Sequence, residues 1–299
     1  MAKNLMPVGN KSYFEGEIRK LSPEAFGFFF CKITAPDFLN HPILQLHVKT
    51  KSGLRTLAPV GSFEGLIFPE EMRNALKFGY KFEILWGYTF EKKYIFKDYV
   101  DTLYQLRLEY PKDHPMNYIA KLFLNSLYGR FGMKYLFDVI RLVDKKEFLK
   151  CTSFVNGQVD PTLKHKNIID LKDKMLLVLE NQFNVADSET KEYNINIAIA
   201  SAVTSYARIV MSQFKNNPSF KLFYTDTDSI YTNLNPDQLN SLIPNTVDNK
   251  LLGKLKLESV SNKAIFISPK CYALESVEGD FNFQVKGLIK KVPVTLNDF

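Results

Sequence analysis

Two short stretches of this chain hold residue types whose spacing could do chemistry. In Lys221-Leu222-Phe223-Tyr224-Thr225-Asp226-Thr227-Asp228-Ser229-Ile230-Tyr231, apolar residues flank a polar centre. The pattern predicts a β-hairpin with Asp226 and Asp228 at its tip. Paired carboxylates held by a turn suit a hard divalent cation, because Mg²⁺ takes one or two carboxylates and keeps waters and substrate phosphates as its other ligands. A calcium loop would need glycine at its sixth position and glutamate at its twelfth, where Tyr231 and Asp237 stand, so that alternative fails. A plain acidic turn remains as the other reading.

The second stretch is Lys121-Leu122-Phe123-Leu124-Asn125-Ser126-Leu127-Tyr128-Gly129, continuing to Gly132. On a helix, Lys121, Asn125 and Tyr128 lie at i, i+4 and i+7 and share one face. Leu122, Phe123 and Leu127 point elsewhere and are expected to pack the helix down. A cation one turn from a flat ring suits a nucleoside triphosphate, with lysine on phosphate oxygens and the ring on a base or sugar. Gly129 would let a planar ligand approach the backbone. An ordinary amphipathic helix with a solvated lysine is the alternative.

Weaker signals lie nearer the C-terminus. Gly253 to Glu258 alternates as a strand with its cations on one face. In Ser268-Pro269-Lys270-Cys271-Tyr272, Lys270 and Tyr272 are two apart, hence on one face of a strand. Val285-Lys286-Gly287 adds a cation with close backbone access. In series these read as a track for a phosphate backbone, against the alternative of solvated basic strands.

These groups need elements to position them. Phe96 to Tyr110 repeats apolar residues every three to four positions and predicts an amphipathic helix, ended by Pro111 and Pro115. Asn117 is then expected to cap the helix that carries Lys121. The pair would form an antiparallel hairpin in which Arg107 could face Lys121, two cations that repel unless an anion lies between them. Before it, Gly27 to Ile33, Phe63 to Phe68 and Gly79 to Gly87 read as strands, and Pro69-Glu70-Glu71-Met72 opens a short helix. Lys134 to Glu192 is lysine-rich, with a turn at Asn156-Gly157 and a buried run from Met175 to Leu179, and reads as an inserted subdomain. Ile195 to Met211 follows as a buried helix whose small residues permit close packing.

The totals agree with a polyanionic partner. In 299 residues, 39 basic against 32 acidic side chains leave +7, and 25 Phe with 15 Tyr supply core and stacking surfaces alike. Three cysteines without CxxC spacing make no disulfide framework and fit a reducing compartment. No signal peptide and no apolar run of membrane-spanning length is visible. No G-x-x-x-x-G-K-[ST] occurs, which excludes a P-loop NTPase.

Taken in order, Lys121-x-x-x-Asn125-Ser126-x-Tyr128-Gly129, Tyr224-x-Asp226-Thr227-Asp228-Ser229 and Lys270-x-Tyr272 resemble the fingers, palm and primer-binding motifs of family B DNA polymerases. The similar branch is the protein-primed polymerases of linear mitochondrial plasmids and related phages, whose fingers begin with a segment similar to Phe96-Lys97-Asp98-Tyr99-Val100. The resemblance implies an α+β fold: an antiparallel palm sheet, helical-hairpin fingers, two small α/β insertions and a partial thumb. It divides the chain into partial palm (1–14), insertion (15–95), fingers (96–133), second insertion (134–192), palm with the hairpin (193–275) and the start of a thumb (276–299).

By the same resemblance, the implied function is template-directed deoxynucleotidyl transfer. The resemblance implies that Asp226 and Asp228 would bind two Mg²⁺ or Mn²⁺ ions, and that Arg107, Lys121, Asn125 and Tyr128 would hold the incoming dNTP. By the same resemblance, Tyr224, Thr227, Lys270, Tyr272 and Lys286 would meet primer and duplex. The implied partners are a DNA primer–template and a terminal protein, without a membrane, and the implied location is the mitochondrion. Some relatives carry another cation one turn before the fingers lysine, where Asn117 stands here. A D-x-x-S-L-Y-P motif with a further metal-binding aspartate does not occur in these residues, and neither does a proofreading domain. That departure leads to the expectation of a fragment of a larger replicase, with a catalytically dead nucleic-acid-binding remnant as the alternative.

Overall fold

The computed structural model describes residues 2–51, 53–133, 138–146, 163–181, 195–287 and 295–299. In chain order the strands and helices are β1 (Met6–Glu15), β2 (Gly27–Thr34), β3 (Leu46–Thr50), β4 (Gly53–Leu57), β5 (Ser62–Ile67), α1 (Pro69–Lys77), β6 (Lys81–Lys93), α2 (Lys97–Glu109) and α3 (Pro115–Phe131). There follow β7 (Val139–Asp144), β8 (Leu163–Leu171), β9 (Lys174–Asn181), α4 (Ile197–Lys215), β10 (Leu222–Asp226), β11 (Ser229–Thr232), α5 (Pro236–Leu242), β12 (Ser261–Ser268), β13 (Cys271–Ser276) and β14 (Phe281–Val285). Two compact units arise: residues 1–124 with 201–299, and residues 125–200.

The first unit is built on an antiparallel sheet of order β1-β6-β2-β5. Alternation in β2 sends Phe29, Cys31 and Ile33 to the buried face, where they meet Ile67, Ile84 and Met72 and Ala75 of α1. Gly27 and Gly87 lie where the two central strands run too close for a side chain: an added Cβ at either would collide with the carbonyl oxygen of Tyr88 or Phe28. On the opposite face Trp86 stacks on Phe30, with ring centroids 4.9 Å apart.

Helix α1 starts with Pro69 and carries Glu70 and Glu71 in its first turn, where they favour the positive helix end. It packs on α4. Arg208 grips the buried Glu71 with two bonds, Nε to Oε1 at 2.5 Å and Nη2 to Oε2 at 2.7 Å. Asn74 Nδ2 donates to Ser212 Oγ at 2.9 Å, and the Tyr206 ring meets Phe68 edge-on. Helix α4 is thus fixed to the sheet just before the chain enters β10.

Helices α2 and α3 form the expected antiparallel hairpin, but Asn117 acts differently from the expectation. Helix α3 begins at Pro115, and the Asn117 amide donates backwards to the carbonyls of Arg107 and Tyr110 at 2.9 and 2.8 Å. It caps the end of α2, whose last carbonyls have no partner in their own helix. His114 Nδ1 takes the start of α3 by accepting from Met116 N. Leu122 and Phe123 do not pack the helix down as expected: both are about half exposed, because Asn117 and Ala120 are the buried positions of α3.

The second unit has its own antiparallel sheet of order β7-β9-β8, with Leu177 and Leu179 of the central β9 buried, as the Met175–Leu179 run predicts. The expected turn at Asn156-Gly157 lies outside the described residues. Among the described residues, no helix is long and apolar enough to cross a membrane.

Candidate active site

Strands β10 and β11 pair with Asp226 opposite Ser229, leaving Thr227-Asp228 as a two-residue connection. This is the hairpin that the apolar flanks predict. Thr227 takes a left-handed backbone (φ 52°), the conformation such tight turns demand, and Ser229 Oγ closes the turn on Asp226 O at 3.0 Å. Asp228 is exposed at the tip, and no hydrogen bond or ion pair engages its carboxylate among the described residues.

A second hairpin, β12–β13, is clamped onto the first. Phe266 lies opposite Tyr272 in its register, as Tyr224 lies opposite Tyr231 in the other. The four rings form one cluster: Tyr224 stacks on Phe266 at 5.3 Å and 18°, and the remaining centroid separations run from 5.2 to 5.9 Å. Tyr231 OH donates to Tyr272 OH at 2.9 Å. Burial and that bond push the Tyr231 phenol above its ordinary range.

Lys270 is not on a strand beside Tyr272, as the two-residue spacing suggested. It sits in the β12–β13 turn with φ 63°, a left-handed position that turns its side chain out of the alternation. Its backbone N donates to Tyr224 OH at 2.8 Å, and its ammonium spans both oxygens of Asp226 at 2.8 and 2.7 Å. This pairing, with help from the Thr227 hydroxyl at 3.1 Å, holds the Asp226 carboxyl below the usual carboxylate range. Lys286, exposed just beyond β14, joins the cluster through its backbone N, which donates to Lys270 O at 3.0 Å. Gly253 to Glu258 is not a strand: Gly253 turns the chain at φ 84°, and one isolated bridge, Val247 to Leu255, is formed there.

Tyr224, Asp226, Thr227, Asp228, Lys270, Tyr272 and Lys286 therefore come together in one place. Arg107 and Lys121 lie on the α2–α3 hairpin of the same unit, and the Arg107 Nε is buried without a hydrogen-bond partner among the described residues. That orphaned donor fits a site for an anion. Asn125 and Tyr128 lie further along α3, both exposed, in residues assigned to the second unit. Tyr231 and Phe266 were not singled out from sequence. The Tyr224–Tyr231 pair was legible there, since a two-residue turn fixes that register; Phe266 needed the second hairpin.

The residues suit a hard cation. Asp226 and Asp228 offer oxygen donors on either side of Thr227, and Asp228 is free to accept. Among the described residues no third His, Cys, Asp or Glu joins them in a metal-holding group.

Comparison with known proteins bears on the family and the fold. The family model described as DNA polymerase type B, organellar and viral, matches residues 1–220. A "Probable DNA polymerase" of Ascobolus immersus is 36% identical over 275 residues, covering 91% of this chain and 21% of that protein. One of Neurospora intermedia is 33% identical over 274 residues, covering 89% of this chain and 26% of its own length. The chain thus spans about a quarter or less of these relatives. Phi29 DNA polymerase, solved with primer-template DNA and incoming nucleotide, superposes over 100% of this chain and 50% of its own, with TM-score 0.65 and 21% identity. The fold is shared, a mixed α/β architecture with antiparallel sheets. The chain belongs to the organellar and viral type B DNA polymerase family.

Proposed function

We propose that this chain carries the nucleotidyl-transfer site of a template-directed DNA polymerase, with the sheet and the β10–β11 hairpin as palm and the α2–α3 hairpin as fingers. The observation that supports it best is the hairpin tip, where Lys270 is held on Asp226 beside the four-ring cluster and Asp228 stands exposed. Asp226 and Asp228 would hold the divalent ions. When bound, such ions neutralise the attacking 3′-oxygen and the leaving pyrophosphate.

The chain's own residues do the positioning. Arg107 and Lys121 supply cations for the triphosphate, and the Arg107 Nε has a donor to spare. From the resemblance alone, Asn125 and Tyr128 would count among the nucleotide-binding residues. Lys270 faces Asp226 and would exchange that carboxylate for the primer end, with Tyr272 packing beside it. Lys286 would meet the duplex. In this reading the partners are a primer–template and, from the resemblance alone, a terminal protein; mitochondrial residence rests on the same resemblance.

The test is extension of a labelled primer–template with Mg²⁺ or Mn²⁺, run beside Asp228→Ala and Asp226→Ala. The expected result is that both substitutions abolish whatever extension the unsubstituted chain supports while primer–template binding persists, since neither aspartate is part of the fold's core. Extension that survives both would overturn the assignment of these carboxylates.

A further inference from the structure

Strand β10 has a second end. At Leu222, roughly 13 Å of strand from Asp226 by the rise per residue, it forms part of the wall of a cleft of about 560 Å³. The loop around Phe38 to His41, the C-terminal end of α1 and the chain leaving α4 make up the rest of the wall. The volume falls in the range of small-ligand sites. The cleft is a built feature: Asn216 fastens the loop to the end of α4 by accepting from His41 N at 3.1 Å and donating to His41 O at 2.8 Å.

Its chemistry is one-sided. Lys77, Lys215 and His41 line it together with the amides of Asn40 and Asn217, and among the described residues no Asp or Glu does. Lys215 is half-buried in this wall and has no carboxylate partner among the described residues; burial, then the charge of Arg208, draws its ammonium below the usual lysine range. A desolvated, uncompensated cation is stabilised by any anion that enters. At the rim Phe38 exposes 74% of its surface while its ring edge rests on Gly79, where an added Cβ would stand 3.1 Å from Phe38 Cζ. A ring propped on backbone with an open face is a stacking surface.

We propose that this cleft is a second nucleotide site, separate from the aspartate hairpin: Phe38 stacks on the base, Lys215 and Lys77 take the phosphate, and the asparagine amides meet the base edge. The ligand class is a nucleobase joined to phosphate, which a free nucleotide and one unit of a DNA strand both provide. The site stands apart from the polymerase reading, for none of its residues belongs to the proposed catalytic set.

Photolabelling with 8-azido-dATP in EDTA, followed by peptide mapping, tests it, because chelation removes metal-dependent binding at the aspartates. The expected labels fall on the peptides holding Phe38 to His41 and Lys215 to Phe220, and decline when dAMP or an oligo-dT strand is added. Lys215→Met and Phe38→Ala should each lower cleft labelling about tenfold, the effect of losing one charge-assisted contact or one stacked ring. Labelling of the α3 peptide should not change. Phe38 is exposed, so that variant keeps the fold intact if Lys215→Met does not. Displacement by dAMP alone identifies a free nucleotide as the ligand, and stronger displacement by oligo-dT a strand. Cleft peptides left unlabelled in the wild type, or labelled as strongly in both variants as in the wild type, overturn the proposal.

Discussion

The joint between α1 and α4 offers the sharpest quantitative test of how this fold is held. Glu71 is 4% exposed, and both its oxygens are taken by Arg208, which also donates to Ser205 Oγ at 2.8 Å. Arg208→Met leaves the carboxylate buried without a countercharge. Breaking such a pair from one side costs about 3–5 kcal/mol, whereas replacing both partners by apolar groups of similar size is near neutral or better. The double variant Glu71→Met/Arg208→Met should therefore lie within about 1 kcal/mol of the wild type, and the single variant several kcal/mol below it. Urea unfolding followed by Trp86 fluorescence is a suitable assay. Trp86 is the chain's one tryptophan and stacks on Phe30 in the sheet of the same unit, so its signal reports that unit's unfolding. The midpoint should fall in the single variant with the slope unchanged. An Arg208→Met loss below about 1 kcal/mol, or a double variant as unstable as the single one, would refute the picture of a buried, mutually dependent pair.

Asn117→Ala removes the donor to two carbonyls at the end of α2 and should cost about 1–2 kcal/mol, with faster amide exchange in the last turn of α2 as the signature. Phe266→Ala opens the four-ring clamp, so about 2–3 kcal/mol should be lost and Lys270 should no longer be held on Asp226; unchanged stability would count against the clamp. The Cys31 thiol is pushed up to about 12 by burial, from an ordinary 9.0. Since the folded value exceeds the unfolded one, its contribution to stability is complete below pH 9 and declines as pH rises toward 12. Iodoacetamide at pH 9.5 (a test condition of the order of the unperturbed thiol pKa) should spare Cys31 in the folded chain and modify it in urea, with mass spectrometry as the readout.

Much of this structure could be read from local order. Alternation in β2 and the apolar flanks of Asp226 to Asp228 are period-two patterns set by the backbone, and the turn between β10 and β11 follows from residues adjacent in sequence. The helix bearing Lys121, Asn125 and Tyr128 was legible for the same reason, from spacing within one element. Three features were not. Asn117 fits the pattern of an N-cap, yet it serves the carbonyls of the preceding helix, because only the packed hairpin brings those orphaned groups within reach. Lys270 looked like a strand residue until the turn placed it in a left-handed conformation and its ammonium on Asp226, forty-four positions away. Glu71 looked like a helix-dipole residue until Arg208 was brought to it across 137 positions. The chain by itself determined the chemical groups and the elements that present them, since period and turn chemistry are local. Which cation meets which carboxylate was decided by tertiary packing, since such pairs form only where distant elements exclude water together.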